Sequence, residues 1–147
     1  MACAMPADPD PVALTLVIPG DALAVRAALR ALFETLPLKA LPEATRGTAQ
    51  VVLAEALNNV VEHAYAEKHG DIEITLEAAP GGLACLIVDH GCPMPAGSLP
   101  GASPPAADPM DPPEGGFGWY LIRSLSEDLR YSRDGNCNHL SFRLSAG

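Results

Sequence analysis

Positive charge is what this chain has least of. Nine Lys and Arg stand against 18 Asp and Glu, a formal net charge of -9. Such a surface repels phosphate backbones, and with no basic stripe to offset it, direct nucleic-acid binding is not expected. Lysine occurs only at 39 and 68, neither in a glycine-rich loop, so a Walker-type phosphate loop and a protein-kinase lysine are both absent. Long apolar runs are missing too. The longest near the start, Val12 to Ile18, is seven residues, too short for a membrane span or a signal-peptide core, and no basic segment precedes it. The expectation is a cytoplasmic protein whose partners are proteins or small molecules. Cysteines at 3, 85, 92 and 137 show no CxxC spacing, which points to reduced thiols. His90-x-Cys92 and Cys137-x-His139 could meet at zinc only if the fold joined distant segments, and a lone Cys is more often a small buried hydrophobe.

What is present is enough apolar material for a core: 147 residues, 48% of them hydrophobic, the size of one domain. Residues 1–11 carry three prolines and little to pack, and read as a disordered tail ahead of a single domain over 12–147. Val12 to Ile18 suits a strand and Pro19-Gly20 a turn. Asp21 caps a helix running to Leu36, and Pro37 and Pro42 bracket the next connection. A second helix covers 43–66 and stops near Gly70. Strands follow at Asp71 to Ala79 and Leu83 to Asp89, joined through Pro80-Gly81-Gly82. Eight prolines fall between 90 and 114, so this stretch is irregular, and 92–114 reads as a lid. A helix over Trp119 to Ser126 and strands near Leu129 to Arg133 and His139 to Leu144 close the chain. This order fits an α+β, two-layer sandwich, with helices on one face of a mostly antiparallel, mixed sheet.

Within the second helix, at about 100° per residue, Asn59, Glu62 and His63 fall on the side of Glu55, with Leu53, Leu57, Val60, Val61 and Ala64 opposite. A solvated helix face has the same outline. Yet such a face is usually Lys, Glu, Arg and Gln, whereas Asn58-Asn59 puts two poor helix formers in mid-helix. An Asn carbonyl is a hard neutral ligand for Mg²⁺ already neutralised by phosphate oxygens, and Glu55 could orient a water or take a proton from an attacking hydroxyl. Asp89-His90-Gly91 sets a carboxylate where an apolar strand ends, a weak signal alone because ordinary turns look the same. Gly115-Gly116-Phe117-Gly118, opening a helix, offers backbone N–H groups and the positive helix end to an anion.

Taken in order, Glu55-x-x-x-Asn59-x-x-x-His63-Ala64-Tyr65, Asp89-x-Gly91 and Gly115-Gly116-x-Gly118-x-x-Leu121-Ile122 resemble the histidine-kinase-like ATPase (GHKL) superfamily, whose fold is the Bergerat sandwich. The compact length and the closing Gly135-x-x-Asn138-x-Leu140 bring the resemblance nearest to bacterial anti-sigma factor serine kinases. That resemblance implies ATP and Mg²⁺ as cofactors. It makes Asn59 the metal ligand, Glu55 the catalytic base, and Asp89 the acceptor for the adenine amino group in a pocket shaped by Gly91. Gly116 and Gly118 would lie over the phosphates, Leu121 would belong to the same nucleotide-binding segment, and His63 would support the site. It further implies phosphorylation of a small anti-anti-sigma (STAS-type) protein, sequestration of a sigma factor, or both, and a homodimer; the alternative is a non-catalytic module that binds ATP and sequesters a regulator. Pro93 departs from the family, standing where many members carry a second glycine, and should stiffen the lid hinge.

Overall fold

The computed structural model describes residues 13–99 and 118–146. The expected tail at 1–11, most of the expected lid, and Gly116 lie outside the described residues.

β1 (Ala13–Pro19) leads through Gly20 into α1 (Ala22–Leu32). The side chain of Asp21 caps that helix, accepting from Ala24 N at 2.8 Å. The expected single helix to Leu36 ends earlier, and Pro37 instead sits in the first turn of a separate short helix, α2 (Leu36–Lys39). α3 (Glu43–Asn59) passes without a break into a π-helical turn, Val60–Ala64, in place of one uniform helix to 66. β2 (Asp71–Ala79), β3 (Gly82–Asp89), α4 (Gly118–Leu125), β4 (Glu127–Asp134) and β5 (Cys137–Ser145) complete the domain.

The strands form one five-stranded sheet in the order β1-β2-β3-β5-β4, and every pairing is antiparallel. Two-residue turns set the register of both hairpins. Gly81 takes φ 76 in Pro80-Gly81, and Gly135 takes φ 62 in Gly135-Asn136, conformations that only glycine adopts without strain.

One face of the sheet is buried. Ile72, Ile74 and Leu76 on β2, Leu83 and Ile87 on β3, and Leu140, Phe142 and Leu144 on β5 alternate with more exposed neighbours, as the two-residue period of a strand requires. α3 lies across this face between α1 and α4. Its buried apolar residues, Ala49, Val52, Leu53, Ala56 and Leu57, recur at three- and four-residue steps and form one broad stripe on the side turned to the core. Among the described residues no helix is long and apolar enough to cross a membrane.

Candidate functional site

At one end of the sheet, a cavity of about 320 Å³ opens where the π turn, the end of β3, the start of α4 and strands β4 and β5 converge. Its lining combines apolar walls from Val60, Trp119 and Leu140 with the polar groups of Asn59, Asp89 and Asn138. A mainly apolar concavity with a few convergent polar groups is the usual form of a small-molecule site.

The alternation that buries Ile87 also turns Asp89 inward at the last position of β3, where it is only 3% exposed. Asp89 Oδ1 accepts from Gly91 N at 2.9 Å and from Asn138 Nδ2 at 2.8 Å. No described residue donates to its other oxygen. Asp89 therefore offers an acceptor inside an apolar enclosure, where an N–H donor on a flat ligand gains more than it would in water. Gly91 is required by sterics: a Cβ there would run into the Ala64 carbonyl, the group that accepts from Cys92 N at 2.8 Å. Tyr65 fixes the same loop from behind, donating its hydroxyl to Asp71 O at 2.6 Å and accepting from His90 N at 2.9 Å. Burial is the main cause that raises the Tyr65 pKa above its ordinary value, so the hydroxyl keeps its proton for the bond to Asp71.

Another part of the cavity is set by α3. Asn58 is exposed while Asn59 is buried, and Asn59 Nδ2 is the one buried side-chain N or O among the described residues with no hydrogen-bond partner. An unsatisfied buried amide costs about 1–3 kcal/mol, a cost that a bound ligand would remove. A half-turn of the amide exchanges its ends, so either a donor or a carbonyl oxygen can be presented there. Gly118, the first residue of α4, closes over this point. A Cβ on it would stand 2.8 Å from Glu55 Oε2, 3.5 Å from Asn59 Oδ1 and 3.6 Å from Asn59 Nδ2. The positive end of an eight-residue helix thus lies against a carboxylate and an unsatisfied amide. A divalent cation held mainly by ligand phosphates needs one or two oxygen ligands from the protein. Glu55 and Asn59 fit that requirement.

The fold thus gathers Glu55, Asn59, Asp89, Gly91 and Gly118 around one end of the sheet. His63 also lines the cavity but is exposed, because the π turn after Asn59 departs from the 100° step. Leu121 is half-buried on α4 and does not line the cavity, whereas Trp119 does. Tyr131 and Arg133, which the sequence reading passed over, are bonded to the loop after Asp89. Asn138, noted only within a closing pattern, could have been found from strand period: it is the polar member of the series that includes Leu140, Phe142 and Leu144. The zinc quartet does not assemble. Cys137 Sγ lies 3.2 Å from His90 Nδ1, but Cys92 lines the cavity with Asn138, whereas Cys137 and His139 share the opposite side of β5. No three His, Cys, Asp or Glu among the described residues converge as a metal site.

The model of the histidine kinase-like ATPase domain family matches residues 18–144. Curated relatives include the serine-protein kinase RsbW of Bacillus cereus (strain AH820) and that of Bacillus anthracis (strain A0248). Each is 31% identical over 88 residues, covering 58% of this chain and 55% of the relative. The chain matches only about half the length of these relatives. Among solved structures, the crystal structure of the RsbU and RsbW domains of Rv1364c from Mycobacterium tuberculosis aligns with a TM-score of 0.60 at 14% identity, covering 91% of this chain and 32% of that one. This likeness establishes the shared fold. With the fold, the ordered motifs and a match spanning almost the whole chain in agreement, the protein belongs to the histidine kinase-like ATPase domain family.

Proposed function

We propose that the chain binds Mg-ATP in this cavity and acts as an anti-sigma regulatory factor with protein serine kinase activity, phosphorylating a small anti-anti-sigma protein that competes with a sigma factor for it. The observation that carries this reading is the unpartnered Asn59 amide, close to Glu55 and the α4 N-terminus, in the lining of a cavity that also holds the Asp89 acceptor. That pairing of groups suits a ligand with a ring amino group at one end and phosphates at the other.

Adenine would rest against the apolar lining that includes Val60 and Leu140 and would donate its amino group to Asp89. The phosphates extend toward Gly118, where the helix end and backbone N–H groups stabilise negative charge. Asn59 would hold Mg²⁺, which when bound would supply charge neutralisation to the transferring phosphoryl group. Glu55 receives the proton of the attacking serine hydroxyl as the new P–O bond forms and the bond to the ADP leaving group breaks. The names of the RsbW relatives support the kinase assignment.

The test is transfer of labelled γ-phosphate from ATP to a small anti-anti-sigma protein. The kinase reading expects label on the partner, lost in both Glu55→Ala and Asn59→Ala, with the Glu55 variant still binding nucleotide. An unlabelled partner in the presence of bound ATP leaves a binding module that sequesters a regulator, and ends the kinase claim.

A further inference from the structure

Asn138 has every hydrogen-bonding position of its amide taken. Nδ2 donates to Asp89 Oδ1 at 2.8 Å and to Cys92 O at 2.9 Å, and Oδ1 accepts from Tyr131 Oη at 2.6 Å and Arg133 Nη1 at 3.0 Å. The amide can face only one way. Reversed, its oxygen would oppose a carboxylate oxygen and a carbonyl oxygen, and its NH₂ would oppose a guanidinium.

The Tyr131 hydroxyl is equally constrained. It accepts from Met94 N at 3.0 Å, so its own proton goes to Asn138. A one-way series results, from the Met94 amide through Tyr131 and Asn138 to Asp89 Oδ1. Arg133 Nη1 adds a bond to Gly91 O at 2.7 Å, fixing the glycine that also donates to Asp89. Both donors to Asp89 act on Oδ1, which leaves Oδ2 as the acceptor available to a ligand. Asn138 cannot read a base itself, because both of its N–H groups are committed.

We propose that Tyr131, Arg133 and Asn138 are positioning residues that hold Asp89 as a fixed acceptor, and that through it they make the cavity select a 6-aminopurine nucleotide over 6-oxopurine or unsubstituted ones. The proposal rests on the reading that the cavity binds ATP. A fixed acceptor rewards a donor, opposes the carbonyl oxygen of a 6-oxopurine, and is left unpaired by a purine without a substituent. If Asp89 were free to turn, it could move away from a wrong base and discrimination would fall.

The experiment is calorimetric titration of the full chain and two variants, Asn138→Leu and Tyr131→Phe, with Mg complexes of ATP, GTP and purine riboside triphosphate, which lacks the 6-amino group. The wild type should prefer ATP over the unsubstituted nucleotide by about tenfold, the worth of one well-placed hydrogen bond. Asn138→Leu should weaken ATP by about tenfold and the unsubstituted nucleotide by less than about threefold, so that the preference collapses. Tyr131→Phe keeps the ring and removes one oxygen, guarding against a misfolded Asn138 variant, and should lose part of the same preference. Equal weakening of ATP and the unsubstituted nucleotide, as general damage would cause, overturns the proposal. So does an unchanged preference in variants that still bind ATP, and in that case ATP binding itself stands. A wild type with no affinity for ATP removes both readings together.

Discussion

Asn59 is a residue whose cost to the folded chain and whose service to a ligand can be separated. Its Nδ2 is buried without a partner, and alanine is the better helix former. Asn59→Ala should therefore leave the ligand-free melting temperature unchanged or slightly raised while abolishing the stabilisation that Mg-ATP gives. A thermal melt with and without nucleotide checks both halves, and a fall of more than about 5 °C in the ligand-free protein, more than about 1 kcal/mol at this size, would contradict the account. Gly118→Ala tests the same corner by steric means. The new methyl group would stand 2.8 Å from the Glu55 carboxylate, so α4 or Glu55 must shift, and nucleotide affinity should fall about tenfold or more. Titration of the variant with ATP provides the measurement. Neither constraint was visible in the sequence. The motif marked Asn59 and Gly118 separately, but that one closes over the other depends on how α4 crosses α3.

At the scale of elements, the π turn and the loop after β3 behave as one unit, joined through Tyr65. Its ring lies between Gly20 and Gly70, and a Cβ on Gly70 would come within 2.7 Å of the hydroxyl oxygen. Tyr65→Phe deletes the bonds to Asp71 O and His90 N and leaves both backbone groups without that partner. The expected loss is about 2 kcal/mol of stability, measured by urea denaturation. Much of this scale was legible in the sequence. Alternation in β2 and β3, the Pro80-Gly81 turn and the Asp21 cap all act within a few residues, and each lies where local chemistry put it. The second helix was only half legible. Its apolar period continues past Asn59, but the change to π geometry reflects tertiary contacts, including the bond from Cys92 N to Ala64 O, which span sequence distances that no local pattern records. On α4 the side chain that lines the cavity is that of Trp119, set by how the helix is rotated on α3, which its own sequence does not record.

For the whole molecule, the sheet carries the core on one face and its chemistry at one end. Cys85, in the middle of β3, records how dry that core is, since burial pushes its thiol pKa from 9.0 up to about 12. The folded state thus holds the thiol proton more tightly than the unfolded state does. That contribution to stability is fully present below about pH 9 and is lost as pH rises toward about 12. Two measurements follow. Chemical denaturation repeated across that range should show stability declining, and iodoacetamide at neutral pH should label the half-buried Cys92 and Cys137 well before Cys85.

The hydrogen bond from Cys92 N to Ala64 O, the carbonyl that a Cβ on Gly91 would strike, joins the segment that carries Asn59 to the segment that carries Asp89. It is therefore a built-in clock for the opening of the two halves of the cavity. In hydrogen–deuterium exchange, the Cys92 amide proton should persist for as long as the halves stay together, and should be protected further by a ligand that spans both. A ligand that touches only one half would leave that rate where it was.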